Sequence, residues 1–545
     1  MNESELDAIV IGAGFSGLGM LRSLREELGL NVKVFEKGSG VGGTWYWNRY
    51  PGARCDSESY IYCFSFSEEL LQDWSWSGKY PEQPEILSYL EHVAERFDLK
   101  RNIQFNTTVT AASYDEETNL WHVETDQGDR VSARYLITGI GCISTGNIPD
   151  IPGLDSFQGD WHHTGSWPHE GVDFSSKKVA VIGTGSSGVQ SIPVIADQCA
   201  ELKVFQRTAQ FTIPARHGSI DQQFIEEEVK PNYAELLEQA RWSAGGIPVD
   251  FAKRSAFDVN DSERQAIYEA GWKEGGHRFI FGSFGDITSD LKSNATASNF
   301  IRSKIREIVR DPLKVEKLLP MDHPLGSKRA LIDTNYFATY NQEHVDLIDL
   351  NEDPIESITA SGIQTKSHSF DFDIIVFATG FDAMTGSFFK MDITGRHGRK
   401  LKDDWSNGPS TYLGLQVSNF PNMFMITGPG SPSVLSNMPV SIEQHIEWIK
   451  DFIEYAEDKG IDIIEAEPEA ERDWGEHVNE IAEKTLYMQA NSWYLGANIP
   501  GKPRVFMPYA GGVGTYRKRC VEIAKEGYPG FHLSKHDSLN VAVAD

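Results

Sequence analysis

Two glycine clusters are the first residues in this chain whose types and spacing could do chemistry. Gly12, Gly14 and Gly17 follow the apolar run AIVI, and Gly183, Gly185 and Gly188 follow VAVI. Glycines so spaced permit a tight strand-to-helix turn, let backbone approach a pyrophosphate, and leave a helix N-terminus aimed at it. Such a cluster alone is a weak sign, so the residue that ends the following strand decides its meaning. In the first unit NVKVFE ends in Glu36, about 20 residues beyond the turn, where a carboxylate accepts from a ribose diol. In the second, LKVFQRT puts Arg207 and Thr208 at the matching place with no acid nearby, and a guanidinium beside a hydroxyl suits a 2′-phosphate.

One adenosine with a free ribose and one with a 2′-phosphate imply FAD and NADPH in a single chain, with hydride passing from nicotinamide to flavin. The electrons then go to a disulfide, a diffusing acceptor or dioxygen. A disulfide route needs paired cysteines beside the flavin, whereas the five here (Cys55, Cys63, Cys142, Cys199, Cys520) are scattered and form no CxxC. The elements that must position these groups predict an α/β fold: two Rossmann-like dinucleotide-binding domains with an inserted helical subdomain. The expected division is residues 1–145 for the first part of the FAD-binding domain and 146–216 for the first part of the NADP-binding domain. A helical insertion follows over 217–325, then 326–385 and 386–545 complete the NADP and FAD domains in turn. Helical spacing in FIEEEVKPNYAELLEQARW and ASNFIRSKIREIV marks the insertion, and alternation around the DQGD turn at 112–138 marks a β-meander. A chain split in this way argues for a composite site at a domain junction.

Just before the second glycine turn, FQGDWHHTGSWP places Phe157, Gly159, His163, Trp167 and Pro168 in the arrangement FxGxxxHxxxWP. This resembles the fingerprint of type I Baeyer–Villiger monooxygenases. GGTWYWNRYPGARCD, GTGSSGVQ, FATGFDAMTG, GPGSPSVLSNM and SWYLGANIPGK are similar to further family segments, so the resemblance spans almost the whole chain. It is greatest to the phenylacetone and steroid monooxygenase branch, because GPGSPSVLSNM is longer than the corresponding cyclohexanone monooxygenase loop. The resemblance implies that NADPH reduces FAD, oxygen adds at flavin C4a, and the resulting peroxide attacks a ketone. Migration of a carbon in that Criegee adduct yields an ester or lactone.

Site roles follow from the same resemblance. Arg329, in HPLGSKRALIDTNY, matches the catalytic arginine, a cation that keeps its charge when buried, and Asp56 matches the acid that positions it. FAD contacts are implied at Gly12, Gly14, Ser16, Gly17, Glu36, Thr44, Trp45, Tyr46, Trp47, Asp56, Tyr62, Val109 and Met438. For NADP they are Arg54, Cys55, Asp56, Gly183, Thr184, Gly185, Ser186, Ser187, Gly188, Gln190, Arg207, Thr208, Lys328, Arg329 and Trp493, with NADP+ remaining bound through turnover. Ser433, Val434, Leu435 and Met438 border the ketone. His163 lies in a linker and is expected to serve conformation rather than proton transfer. Thr44 stands where some members of the branch have valine, a change compatible with contact through backbone. No metal site is expected.

Charge sets the remaining bounds. With 50 Lys+Arg against 79 Asp+Glu the formal net charge is −29, which excludes phosphate-neutralising nucleic-acid binding and disfavours an anionic membrane surface. The N-terminus lacks the basic flank of a signal peptide, and no apolar stretch approaches the ~20 residues of a bilayer span, so a cytoplasmic enzyme is expected. Its partners are a small hydrophobic ketone and dioxygen, with no obligate protein partner evident. The competing reading is a flavin monooxygenase acting on nitrogen or sulfur, whose fingerprint does not end in Trp-Pro. A noncatalytic NADPH sensor leaves Arg329 and Asp56 unexplained.

Overall fold

The computed structural model describes residues 6–536. Its first sheet is organised on Leu6–Ile11, whose last four residues are wholly apolar and buried. Val32–Phe35 and Arg130–Thr138 flank it in parallel. Strands buried on both faces read as continuous apolar runs, as AIVI does, because helices must cover each side. Val109–Asp115, Leu120–Thr125 and Arg130–Thr138 form an antiparallel meander. Two strands from far along the chain join in parallel: Asp392–Thr394 beside Val109–Asp115, and Met423–Met425 beside Arg130–Thr138. This sheet therefore draws on both ends of the sequence.

A second sheet is entirely parallel, in the order Val345–Asp349, Glu201–Gln206, Lys178–Ile182, Ile374–Phe377, Asp160–His163. Between Glu201–Gln206 and Val345–Asp349 the chain leaves through Thr212–Pro214 and comes back through Leu331–Asp333, which pair in parallel. The excursion is helical, with Tyr233–Trp242, Asp261–Glu274, Arg278–Ser283 and Leu291–Ile308 as its principal helices. Tyr268, Trp272, Phe279 and Phe300 fill its centre, Phe279 stacking on Phe300 at 5.7 Å. Asn260 and Asp290 cap two of these helices by accepting from Glu263 and from Lys292 and Ser293 backbone N–H groups, so donors otherwise without partners are satisfied.

SIEQHIEWIKDFIEYAED lies within the 22-residue Met438–Lys459 helix, which packs on Phe15–Arg22 and ends at Gly460 in a left-handed conformation (φ 61°). Its N-terminus starts in the loop GPGSPSVLSNM. The five cysteines are unpaired. Among the described residues, no helix is long and apolar enough to cross a membrane, and no group of three or more His, Cys, Asp or Glu side chains could hold a metal ion.

Candidate functional site

The first glycine turn is closed on itself. Gly12 has φ +98°, and a Cβ there would stand 2.6 Å from the Gly139 carbonyl oxygen. Added to Gly17, a Cβ would meet the Gly12 oxygen at 1.7 Å, while one on Gly43 would lie 2.9 Å from Gly14 Cα. The helix that follows begins at Gly14 without a side-chain cap, so its first amides face outward as anion donors. Glu36 is buried, accepting from Ala13 N–H at 2.7 Å and from Gly38 N–H at 2.6 Å. Burial pushes this carboxyl up and the two amides pull it back, with a net rise. Beyond Gly43 the Thr44–Trp47 turn carries the aromatic wall: Trp45 donates to the Tyr62 hydroxyl at 3.2 Å, Tyr46 hydrogen-bonds Ser39 at 2.8 Å, and Lys37 stands 5.4 Å above the Trp47 ring. Ser16 and Val109 are buried. A pyrophosphate cradle, a held carboxylate and flat aromatic walls fit FAD.

The second turn uses the same backbone device but stays open. Gly183 (φ +110°) and Gly188 have no room for a Cβ, which would meet carbonyl oxygens at 2.4 and 2.3 Å, yet around Gly185 nothing lies within 4 Å. Its helix, Ser186–Ala196, also lacks a side-chain cap. Thr184 donates to the Thr208 carbonyl at 2.9 Å, and Ser187 takes a hydrogen bond from Thr164 at 3.1 Å. Gln190 donates to the Arg54 carbonyl at 3.1 Å and accepts from Tyr50 at 2.7 Å. Arg54 pairs with Glu82 at 3.0 Å, leaving its buried Nη1 without a protein partner. Arg207 is exposed, and Lys328 is close enough to feel it: burial and the Arg207 charge hold the Lys328 ammonium below its ordinary value, with Asp322 opposing. Two cations, an uncapped helix start and an orphan guanidinium nitrogen fit the phosphates of NADPH.

Arg329 arrives on the lead-in to Leu331–Asp333 and Asp56 on the loop after Thr44–Trp47. They form a bidentate pair, Nε to Oδ2 and Nη2 to Oδ1, both at 2.8 Å. Nη1 donates to the Val434 carbonyl at 2.7 Å, so the same guanidinium reaches the loop ahead of the Met438–Lys459 helix. About a quarter of each side chain remains exposed, 26% for Arg329 and 23% for Asp56. Burial raises the Asp56 carboxyl, but Arg329 and His277 outweigh it and hold it below the usual carboxylate range. Arg329 is correspondingly held above its ordinary value by Asp56, against the cost of burial.

Val434, Leu435, Met438 and Trp493 belong to one apolar cluster with Met384, Tyr487, Tyr494 and Phe506. Ser433 lies in the same loop. Its hydroxyl is buried, 3.0 Å from Cys142 Sγ, while Cys142 also reaches Thr427, so it helps to anchor the loop. Cys55 lies buried, its Sγ accepting from Ser57 N–H at 3.3 Å. Tyr494 and His277, both within electrostatic reach of Arg329, escaped the sequence reading; Tyr494 adjoins Trp493 in SWYLG, whereas nothing near His277 in sequence signals the site.

The fingerprint is a set of fastenings. His163 Nδ1 accepts from Gly165 N–H at 3.0 Å, which leaves the proton on Nε2 to donate to the Gly380 carbonyl at 3.1 Å. Burial lowers its basicity, with the Gly380 bond opposing, so a neutral, fully bonded ring links the edge strand Asp160–His163 to the segment that follows its neighbour, Ile374–Phe377. Trp167 is buried and its backbone N–H points to the Trp47 carbonyl at 3.4 Å, tying this segment to the flavin-side wall. A Cβ on Gly159 would strike the Asp373 oxygen at 2.4 Å and the Phe157 ring at 2.6 Å. Pro168 closes a turn by accepting from Gly171 N–H.

Comparison with known proteins matches residues 7–219 to the flavin-binding monooxygenase-like family. The chain is 44% identical to a cyclohexanone 1,2-monooxygenase from Acinetobacter sp over 97% of both chains. It is 43% identical to a phenazine N-monooxygenase from Lysobacter antibioticus over 99% of each. A solved oxidised steroid monooxygenase bound to NADP is 51% identical, covers 98% of this chain and 100% of its own, and superposes with a TM-score of 0.93.

Proposed function

This chain belongs to the Baeyer–Villiger monooxygenases of the flavin-binding monooxygenase-like family, and from that premise we propose that it inserts one oxygen atom of dioxygen beside the carbonyl of an apolar ketone, giving an ester or lactone. FAD is assigned to the first glycine turn with Glu36 on its ribose, and NADPH to the second with Arg207, Thr208 and Lys328 on its 2′-phosphate. When bound, these cofactors supply the reducing equivalents and the oxygen activation. The division into 1–145 with 386–545, 146–216 with 326–385, and the 217–325 insertion is proposed on the same basis.

The chain's own part is electrostatic. Negative charge develops on the transferred oxygen and on the former carbonyl oxygen, and a fixed cation in a water-poor site is worth most there. Arg329 supplies that cation and cannot lose its proton on burial. Asp56 fixes the guanidinium plane through two bonds, while Val434 ties it to the loop that borders the ketone. Leu435, Met438 and Val434 offer apolar surface and exclude water, as an uncharged carbon skeleton requires. His163, already bonded at both nitrogens, is assigned to conformation and not to proton transfer.

The bidentate Arg329–Asp56 pair, reaching Val434, is the observation that carries the reading. Arg329→Ala is expected to keep FAD and to be reduced by NADPH while ester formation falls at least about 100-fold. Ester made at the parent rate would remove Arg329 from the reaction. The 43% identity to a phenazine N-monooxygenase gives one second reading specific support. Parent enzyme with labelled oxygen and a panel of ketones, phenazines and thioethers decides it by mass spectrometry of the products: label beside a carbonyl supports ester formation, and label only on nitrogen or sulfur replaces it.

A further inference from the structure

A second ion pair runs beside the first. Arg278, at the start of the Arg278–Ser283 helix, donates from Nε and Nη2 to the two carboxylate oxygens of Glu58 at 3.1 and 3.2 Å. Glu58 is two residues from Asp56, so the short segment Asp56–Ser57–Glu58 receives two bidentate arginines from separate parts of the chain. Glu58 is the better buried partner, with 13% of its side chain exposed against 33% for Arg278. It also accepts from the Tyr60 hydroxyl at 2.5 Å and has Lys79 at 3.6 Å. Burial raises its carboxyl, yet Arg278 and the other donors hold it below the ordinary value.

The backbone ahead of Arg278 leaves it little freedom. Gly275 and Gly276 both have positive φ, and a Cβ on Gly276 would fall 2.0 Å from the Tyr80 hydroxyl. On the next residue, His277, burial lowers the basicity of the ring, and the charges that act on it are those of Asp56, Arg329 and Glu58. Thus the approach of the Arg278–Ser283 helix to the Asp56 segment is fastened by backbone packing and by a charge-assisted pair.

On the Baeyer–Villiger reading above, we infer that Arg278 is a positioning residue for the reaction: through Glu58 it sets the Asp56 carboxylate, and through Asp56 the direction of the Arg329 guanidinium. A fixed cation loses its value when it is displaced, because transition-state stabilisation depends on preorganised geometry. The Arg278–Glu58 pair makes that geometry depend on the placement of the Arg278–Ser283 helix. It does not touch the glycine turns, so reduction of the flavin by NADPH is left alone.

The test compares Arg278→Met, Glu58→Gln, the double variant and Arg278→Lys with the parent, all as FAD-loaded full-length enzyme on a ketone that the parent converts. Arg278→Met and Glu58→Gln are expected to be reduced anaerobically by NADPH at the parent rate, while ester formed per NADPH consumed falls about tenfold, the balance appearing as hydrogen peroxide. The double variant should be no worse than either single one, since contacting residues are not additive. Arg278→Lys, which keeps the charge, should recover part of the coupling. Parent-like coupling in Glu58→Gln, or reduction and coupling falling in proportion, overturns the inference. Should Arg278→Met lose its flavin, Glu58→Gln and Arg278→Lys decide the matter. A parent that makes no ester from any ketone is a failure of the functional reading and not of this one.

Discussion

The two glycine turns share a sequence pattern and a backbone yet differ in enclosure. Around the first, Gly43 presses on Gly14, and Glu36 is buried with two amides already on its oxygens. Around the second, Gly185 has open space beside it and Arg207 stands exposed. The contrast suits two cofactors with different duties: one held among the core's own elements, the other read by charge at a rim. Long-range attraction by exposed cations speeds encounter, whereas enclosure slows departure.

Glycine substitution is the harshest way to break the comparison. Gly12→Ala places a side chain on a positive φ and against the Gly139 oxygen, and flavin content is expected to drop about tenfold or more, since neither strain nor overlap can relax. Gly185→Ala meets no protein atom within 4 Å, so its flavin content should match the parent's, with an effect confined to the KM for NADPH. Absorbance of the purified proteins and steady-state kinetics measure both. Equal flavin loss in the two variants would erase the distinction.

Charge removal at the rim should have a smaller, more selective effect. Arg207→Ala is expected to lower kcat/KM about 10- to 100-fold for NADPH, the worth of a charge-assisted bond, and less than about twofold for NADH. Equal losses with both nucleotides would take Arg207 off the 2′-phosphate. The mildest test is alkaline pH. Burial and Arg207 lower the Lys328 ammonium from 10.5, and a base with a lowered value loses its charge earlier as pH climbs. The KM for NADPH should therefore rise within a window below pH 10.5. Lys328→Met should start weaker and show a flatter limb, and Arg207→Ala should move the limb to higher pH. An unchanged alkaline limb in Lys328→Met would exclude that side chain.

Legibility in the sequence followed the range of the interaction. AIVIGAGFSG and VAVIGTGSSG announce strand, turn and helix because each is local: apolar residues must be buried on both faces, and only glycine tolerates φ +98° or +110° there. Likewise the meander and the 22-residue helix follow from period-two and period-3.6 patterning. What the Ser433 hydroxyl bonds was not legible, because its partner Cys142 is nearly three hundred positions away. His277 and Glu58 carry no signal at all, since an isolated histidine or glutamate in a charged stretch looks like solvated surface.

The sequence by itself determined that two dinucleotide turns, one followed by a strand-end carboxylate and the other by a strand-end guanidinium, stand in one acidic chain, and that a fingerprint segment lies ahead of the second. Local sterics and the chemistry of a carboxylate or guanidinium at a strand end suffice for that. Only the tertiary structure decided that Arg329, Asp56 and the Val434 carbonyl meet within hydrogen-bonding distance, and that Arg278 fastens Glu58 beside them. These partners come from segments hundreds of residues apart, brought together by the burial of the sheets and helices that carry them, and no spacing along a chain encodes such a meeting.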